Sequence, residues 1–324
     1  MRKLLAIVAS TAALAAVLAV VEPRFLSVYN LQNLARLIAF LGLFALGQGL
    51  VIVSGGIDLS VGAVVGLSAL LVALLAGPHP LPGWSAALAG GDQIAIGWSI
   101  AIVLALMIAV GAGQGLMITR LGLQPFIVTL GGMMTLRGIA HVLTRGGTAG
   151  LGPGHEPFRG LATGTVLGVV PVPVVVLLAA AAVVHVLLHH TVLGQSLYAI
   201  GRNEEAARYS GLDVARVKRL AYTLSAGLAA SAGVLYAAYL PSVQPAFGTA
   251  FELYAIAAAV LGGCSLRGGE GTVAGILAGA ALMRLITNGI NLVGVSTHWE
   301  LAVIGVVIVA AAVLDAAVRR REGR

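Results

Sequence analysis

Long apolar runs recur ten times along this 324-residue chain, at 4–21, 34–53, 58–76, 94–117, 126–143, 166–188, 220–240, 251–265, 272–295 and 299–317. A helix needs roughly 20 predominantly apolar residues to cross the hydrocarbon of a bilayer, and most of the runs have that length. The eighth is short and reads as a tilted, broken or partly re-entrant segment. Hydrophobic residues make up 59% of the chain and charged residues 10%, whereas a soluble domain carries about 25% charged residues. With so little solvating surface, a disordered chain, a secreted disulfide scaffold and an ordinary cytosolic enzyme are excluded. The expected fold class is an all-α polytopic membrane protein of about ten transmembrane helices, a single transmembrane domain over 1–324.

Ten spans place both termini on one side. With that side inside, 13 of the 19 basic residues fall on inner segments, four fall on outer ones, and Arg137 and Arg284 lie within spans. The bias follows the positive-inside rule and predicts cytoplasmic termini. It also accounts for the net charge of +7 without nucleic acid as a partner; the lipid bilayer is the partner instead. Arg2 and Lys3 precede the first run as in a signal peptide, but the run exceeds the usual 7–15-residue apolar region and no small-x-small cleavage site follows. It reads as an uncleaved first span.

Chemistry is sparse. Lys3 and Lys218 are the only lysines and neither follows a glycine, so the phosphate-binding G-x-x-x-x-G-K-[ST] loop is absent. Any ATP-driven role therefore needs another subunit. Cys264 is the only cysteine. His185 and His189 stand four apart on a helix but have no third ligand, so no metal site is assigned. No nucleophile, base and orienting group occur in a recognisable pattern, and no catalytic residue is assigned.

Three patterns do carry information. Ser54-Gly-Gly-Ile-Asp-Leu-Ser-Val-Gly62 joins two apolar runs almost without a loop: Gly55-Gly56 breaks a helix, and Asp58 can cap the next. Two readings stand for Asp58, a cap on a buried helix end or a polar group beside a substrate route, and both can hold. Gly271, Gly275 and Gly279 at spacing four read as one close-packing helix face, within a subunit or across a dimer. The most polar segment, 191–219, lies on the inner side. In it Asn203 is a good N-cap for a short helix from Glu204 to Tyr209, with Glu204 and Glu205 in its first turn and Gly211 placed to end it. An ordered surface helix in an inner loop is a docking element. Polar groups within or beside the spans, Gln48, Asp58, Ser60, Gln114, Thr129, Asn288 and Asn291, are the candidate lining of a path. The carboxylates near the spans, Asp58, Glu252, Glu300 and Asp315, all read as lying near span ends, which argues against a proton-coupled pump.

GGIDLSVG at 55–62, QPFIVTLGGMMTLRG at 124–138, LGQSLYAIGRNEEAARYSGLDV at 193–214, QPAFGTAFELYAIAAAVLGGCSLRGGEGTVAGIL at 244–277 and NGINLVGV at 288–295 closely resemble the ribose permease family. These are the membrane subunits of monosaccharide ABC importers, within the branched-chain amino acid/ribose permease superfamily. The resemblance runs in order over essentially the whole chain. It implies a type II-like ABC importer permease in a bacterial inner membrane, paired as a homo- or heterodimer. Its implied partners are cytoplasmic ABC ATPases, a periplasmic sugar-binding protein and a small sugar. ATP and Mg would sit on the ATPase, with no cofactor in this chain. The resemblance assigns the ATPase-coupling loop within 191–219 to Gly201, Asn203, Glu204, Glu205, Ala206, Ala207, Arg208, Ser210 and Gly211. It adds Tyr254 to the candidate path, at a position where the family commonly has Asp. Cys264 and Arg267 also depart, where the family commonly has Thr and a small residue. These departures fit a divergent paralogue, such as half of a heterodimer.

The leading expectation is a passive, alternating-access route for a small sugar, driven by ATPases acting on 201–214. The alternatives are a nucleoside, an autoinducer-type sugar or a branched-chain amino acid as cargo, or a stand-alone secondary transporter or channel. An intramembrane enzyme lacks the catalytic groups it would need.

Overall fold

A computed structural model describes residues 2–78 and 94–294 continuously, with 296, 299, 300, 302, 303, 305, 306 and 309 beyond them. Most of the tenth run and of the loop 77–93 lie outside the described residues. Among those described, the chain forms twelve helices: α1 (Arg2–Val21), α2 (Val28–Val53), α3 (Val61–Ala76), α4 (Ile96–Arg120), α5 (Pro125–Thr144), α6 (Glu156–Thr163), α7 (Val172–His190), α8 (Val192–Arg202), α9 (Glu204–Tyr209), α10 (Val214–Tyr239), α11 (Phe251–Leu261) and α12 (Val273–Leu292). Seven of them are long and apolar enough to cross a membrane, and α3 and α11 are shorter apolar helices. The protein is an all-α, multi-pass membrane protein.

Several helices outrun the apolar runs that announced them, because polar residues at their starts act as caps. α2 begins at Val28, where Ser27 Oγ accepts the Asn30 N–H at 3.3 Å. α10 begins at Val214, where Asp213 Oδ1 accepts the Arg216 N–H at 2.9 Å. Such caps satisfy amides that the helix itself leaves without partners. The polar stretch Ala215–Arg219 is thus the first turn of a long helix and not loop. At the start of the sixth run the opposite happens. Thr165–Val166 pairs antiparallel with Val170–Pro171 across Leu167 and Gly168, both at positive φ, and α7 begins only after that hairpin.

α2 is the axis of the bundle. Every residue from Ala39 to Ser54 is buried, as expected of a helix apolar on all sides. α10, α12, α11 and α7 pack around it, α10 also lies against α3 and α4, and α1 lies against α12. Lipid tails are as apolar as side chains, so helices in a bilayer gain most by close approach of their backbones at small residues. A methyl group built on Gly111 of α4 would sit 2.6 Å from the Tyr222 carbonyl of α10, and one on Gly47 of α2 would sit 2.9 Å from Ser225 Cα. The glycine tract serves the same end within one chain. Gly275 and Gly279 of α12 meet the backbone of Gly262 and Ala258 of α11, while Gly271 lies ahead of the helix that Thr272 caps.

α3 and α11 are broken only in the sense that each is a short helix starting in the interior after irregular chain. After Ser54 the chain turns back along α2, so that α3 starts beside Gln48, five residues and about 7.5 Å before the end of α2. After Tyr239 the chain passes a segment where Ala149 and Val243 exchange backbone hydrogen bonds, and continues without helical structure to Ala250. There α11 begins, with Gly248 and Glu252 against Gly62 of α3. The two short helices therefore start side by side within the bundle. The eighth run forms one continuous helix of 11 residues, short as the sequence suggested, and Glu252 stands in its first turn, buried within the bundle.

Overpacking a tight contact costs about 1–3 kcal/mol. Gly111→Leu should therefore lower the melting temperature of the purified protein in micelles. Gly131→Leu, at a position with nothing within 4 Å, should leave it unchanged.

Candidate coupling platform and translocation path

The segment 191–219 folds almost wholly as helix. Thr191 caps α8, and Asn203 Oδ1 accepts the Ala206 N–H at 2.9 Å to start α9. Gly211, at φ +84°, lets the chain reverse, so that the Gly211 and Leu212 amides reach Arg208 and Ala207 carbonyls, a glycine-dependent helix end. Glu204 ties α9 to α10 through Lys218 at 2.5 Å and pairs with Arg208 at 3.2 Å. Ala207 is buried beneath, while Glu205, Ala206, Arg208 and Ser210 are exposed. Tyr209, which the sequence reading did not single out, is 89% exposed. An exposed aromatic flanked by charges has the composition of a protein contact.

Beneath α8 three distant segments meet backbone to backbone. The Gly269 N–H donates to the Val53 carbonyl at 2.9 Å. Gly201 lies against that same carbonyl, and a methyl on Gly268 would sit 2.8 Å from Gly201 Cα and 2.9 Å from Gly55 Cα. Tyr198 Oη donates to the Gly271 carbonyl at 2.7 Å. Gly268 and Gly269 were not among the expected site residues; the signal for them was L-R-G-G, read only for its family match. Beside the platform, the α4–α5 turn and Glu204, Arg208 and Lys218 enclose a cavity of about 520 Å³.

Directly above, the expected path residues separate into groups. Gln48, Asp58, Ser60, Gln114 and Thr129 come together in the interior, each at most 3% exposed. Asp58 Oδ1 accepts from the Ser60 N–H at 2.9 Å and its hydroxyl at 2.6 Å, and Oδ2 accepts from Ser225 Oγ of α10 at 3.1 Å. The Gln48 carboxamide, oriented to satisfy both groups, donates to the Asp58 carbonyl at 2.9 Å and accepts from its N–H at 3.3 Å. Gln114 Oε1 lies 3.1 Å from Ser60 Oγ, and Thr129 Oγ1 lies 3.4 Å from the Ile57 carbonyl. Asp58 is thus a structural clasp that holds the start of α3 to α2 and α10, while Ser60 holds it to α4. Ser225 completes it and was missed, since a serine inside an alanine-rich helix gives no pattern.

A part-buried ion pair closes the same region. Arg137 of α5 donates to Glu252 of α11 at 3.1 and 3.3 Å, joining the outer helix of this flank to the start of the broken one.

Tyr254 belongs to a different group, an aromatic cluster between α2, α10 and α11. Phe44 stacks on Phe251 at 5.5 Å, Tyr236 contacts Phe40 and Phe247, and Phe251 contacts Tyr254. Arg284 of α12 donates to Tyr236 Oη at 3.2 Å and lies 5.5 Å over the Tyr254 ring. Tyr254 Oη donates to Glu300 at 2.7 Å. Asn288 exchanges hydrogen bonds with Asn30 at 2.8 and 3.3 Å, which fastens α12 to α2, and Asn291 is exposed at the end of α12. Among the described residues no three His, Cys, Asp or Glu side chains gather as a metal site.

A bundle of membrane helices interrupted in its interior, with an exposed helical platform at one end, is the architecture of a transport protein. Residues 30–312 match the family described as the permease component of branched-chain amino acid transport systems, and the chain belongs to that family. It is 42% identical over 302 residues to the ribose import permease protein RbsC of Bacillus subtilis, covering 92% of this chain and 88% of the relative. It is 38% identical to RbsC of Escherichia coli K12, covering 93% and 90%. It is 34% identical to the D-allose transport system permease protein AlsC of E. coli K12, covering 90% and 84%. No solved structure matches the chain.

Removing one member of a buried ion pair costs about 3–5 kcal/mol, while replacing both by apolar groups is near neutral. Arg137→Met, which leaves the buried Glu252 without its partner, should therefore destabilise the protein in denaturant titration, by less than for a fully buried pair. Arg137→Met combined with Glu252→Leu should recover most of the loss.

Proposed function

We propose that this chain is the translocation subunit of an ATP-driven importer for a small sugar of the ribose type. The names of its relatives support that cargo, two of them ribose permeases and one an allose permease. The observation that carries the coupling role is α9. It is a capped, exposed helix held to α10 through Glu204 and Lys218 and next to the glycine joint beneath α8, in a chain without a phosphate-binding loop. A cytoplasmic ABC ATPase, holding ATP and Mg, would dock on Glu205, Arg208 and Tyr209. A periplasmic binding protein would deliver the sugar at the opposite end, and a second permease subunit, identical or homologous, would complete the path. The setting is a bacterial inner membrane with both termini cytoplasmic.

The mechanism follows from the connections. A push on α9 passes through Gly201, Gly268 and Gly55 to the end of α2 and the Asp58 clasp, where α3 starts. A shift there re-seats α3 against Gly248 and Glu252, and so against the start of α11. α11 carries Phe251 and Tyr254 of the aromatic cluster. Aromatic faces match the apolar faces of a sugar ring, and Arg284 supplies donors for its hydroxyls. The subunit's own contribution is the difference in stability between two packings of the broken helices. Of the three departures from the family, Tyr254 lies in this cluster, while Cys264 and Arg267 lie in the turn between α11 and α12.

The test is ribose uptake by liposomes containing the permease with its ATPase and binding protein. Glu204→Ala, which frees α9 from Lys218, and Gly211→Val, which strains its end, should abolish uptake and sugar-stimulated ATP hydrolysis with helical content retained. Normal stimulated hydrolysis in both variants would remove α9 from the coupling role. Ion-driven uptake by the permease alone would reject the ATP-driven reading.

A further inference from the structure

A groove on the outside of the bundle, independent of the transport reading, has a different chemistry. It runs between α4 and α10, encloses about 440 Å³, and is lined by Ala112, Gly113 and Leu116 on one wall and Arg216, Arg219 and Leu220 on the other. Arg216, Arg219 and Leu220 fall on one face of α10 at spacings of three and four, and 112, 113 and 116 fall on one face of α4. The apolar part continues along the helices: nothing lies within 4 Å of a methyl built on Gly113, and Ile108, exposed to the membrane, borders Gly227 one to two turns further on. The polar part sits at the α9 end of the spans. Arg219 Nε donates only to the Ala215 carbonyl at 3.3 Å. Among the described residues, neither Arg216 nor Arg219 forms an ion pair.

Two guanidinium groups without an ion-pair partner, at one end of an open, largely apolar trough, match an anionic head joined to a hydrocarbon tail. We infer that this groove binds an anionic phospholipid. Its phosphate is held by Arg216 and Arg219, and one acyl chain lies over Gly113 and Ala112 between α4 and α10. Arginine suits the task because its planar fork donates two parallel hydrogen bonds to phosphate oxygens. Basic pockets between spans at the cytoplasmic surface select anionic headgroups, with each cation worth a several-fold preference. The absence of a bulky side chain at Gly113 then has a reason that helix packing does not supply. The glycines at 111 and 115 face α10, whereas Gly113 faces the trough.

The experiment is native mass spectrometry of the delipidated full chain, titrated with dioleoylphosphatidylglycerol, dioleoylphosphatidylcholine or inorganic phosphate. The wild type should retain phosphatidylglycerol about tenfold more tightly than phosphatidylcholine. Arg216→Gln with Arg219→Gln should bring the two lipids level. Gly113→Phe, which fills the trough and leaves both arginines, should weaken both lipids, and it keeps the test valid if the charge variant fails to fold. Equal retention of the two lipids by the wild type would overturn the inference, as would unchanged phosphatidylglycerol binding in both variants. Inorganic phosphate competing as well as the lipid would make the site an anion cradle with no lipid specificity. Loss of ATPase coupling with lipid retention intact in the double arginine variant would assign the arginines to the motor interface instead.

Discussion

Irregular backbone within a membrane must find its hydrogen-bond partners inside the protein, because the lipid offers none. This protein breaks two of its helices in the interior, and much of the surrounding structure answers that requirement. The start of α3 is met by Asp58, whose two carboxylate oxygens take three donors from Ser60 and Ser225. The peptide unit of Asp58 is met by the Gln48 carboxamide. The start of α11 has Glu252 in its first turn, paired with Arg137. Both carboxylates sit where helix dipoles favour negative charge, so each break carries its own compensation. The axial helix α2 is uninterrupted and, from Ala39 on, buried on all sides, and it gives both broken helices a fixed surface to lean on.

How much of this could be read in advance follows from the range of each signal. The apolar runs are properties of single segments, and they gave the fold class. Helix α9 was legible to its last residue, since Asn203, Glu204 and Gly211 are local cap and stop signals. Asp58 was visible as an anomaly, but its partners were not, because Ser225 and Gln114 come from other helices. Arg137 and Glu252 were each noticed and not joined, being 115 positions apart. Span ends were misplaced wherever a cap, not hydrophobicity, set the boundary, as at Val28 and Val214.

The glycines divide by what they touch, not by where they stand in the sequence. Those at 47, 111, 275 and 279 let helices approach closely. Those at 201, 268 and 269 build the platform beneath α8. Gly113, two residues from close-packing neighbours, touches nothing, and spacing alone does not distinguish it from them. A sequence rich in glycine therefore announces close packing in general and leaves the particular use of each residue to the three-dimensional arrangement.

The joint beneath α8 has a mechanical consequence. Where the peptide backbones of Gly201, Gly268 and Gly55 touch, no rotatable side chain lies between them to absorb a displacement. Side-chain contacts yield by hopping between rotamers, and that compliance grows as a structure warms. A backbone-to-backbone joint lacks this soft mode, so the end of α8 is held stiffly to the end of α2. Stiffness at this point is obtained by omission: three side chains are missing so that nothing there can give.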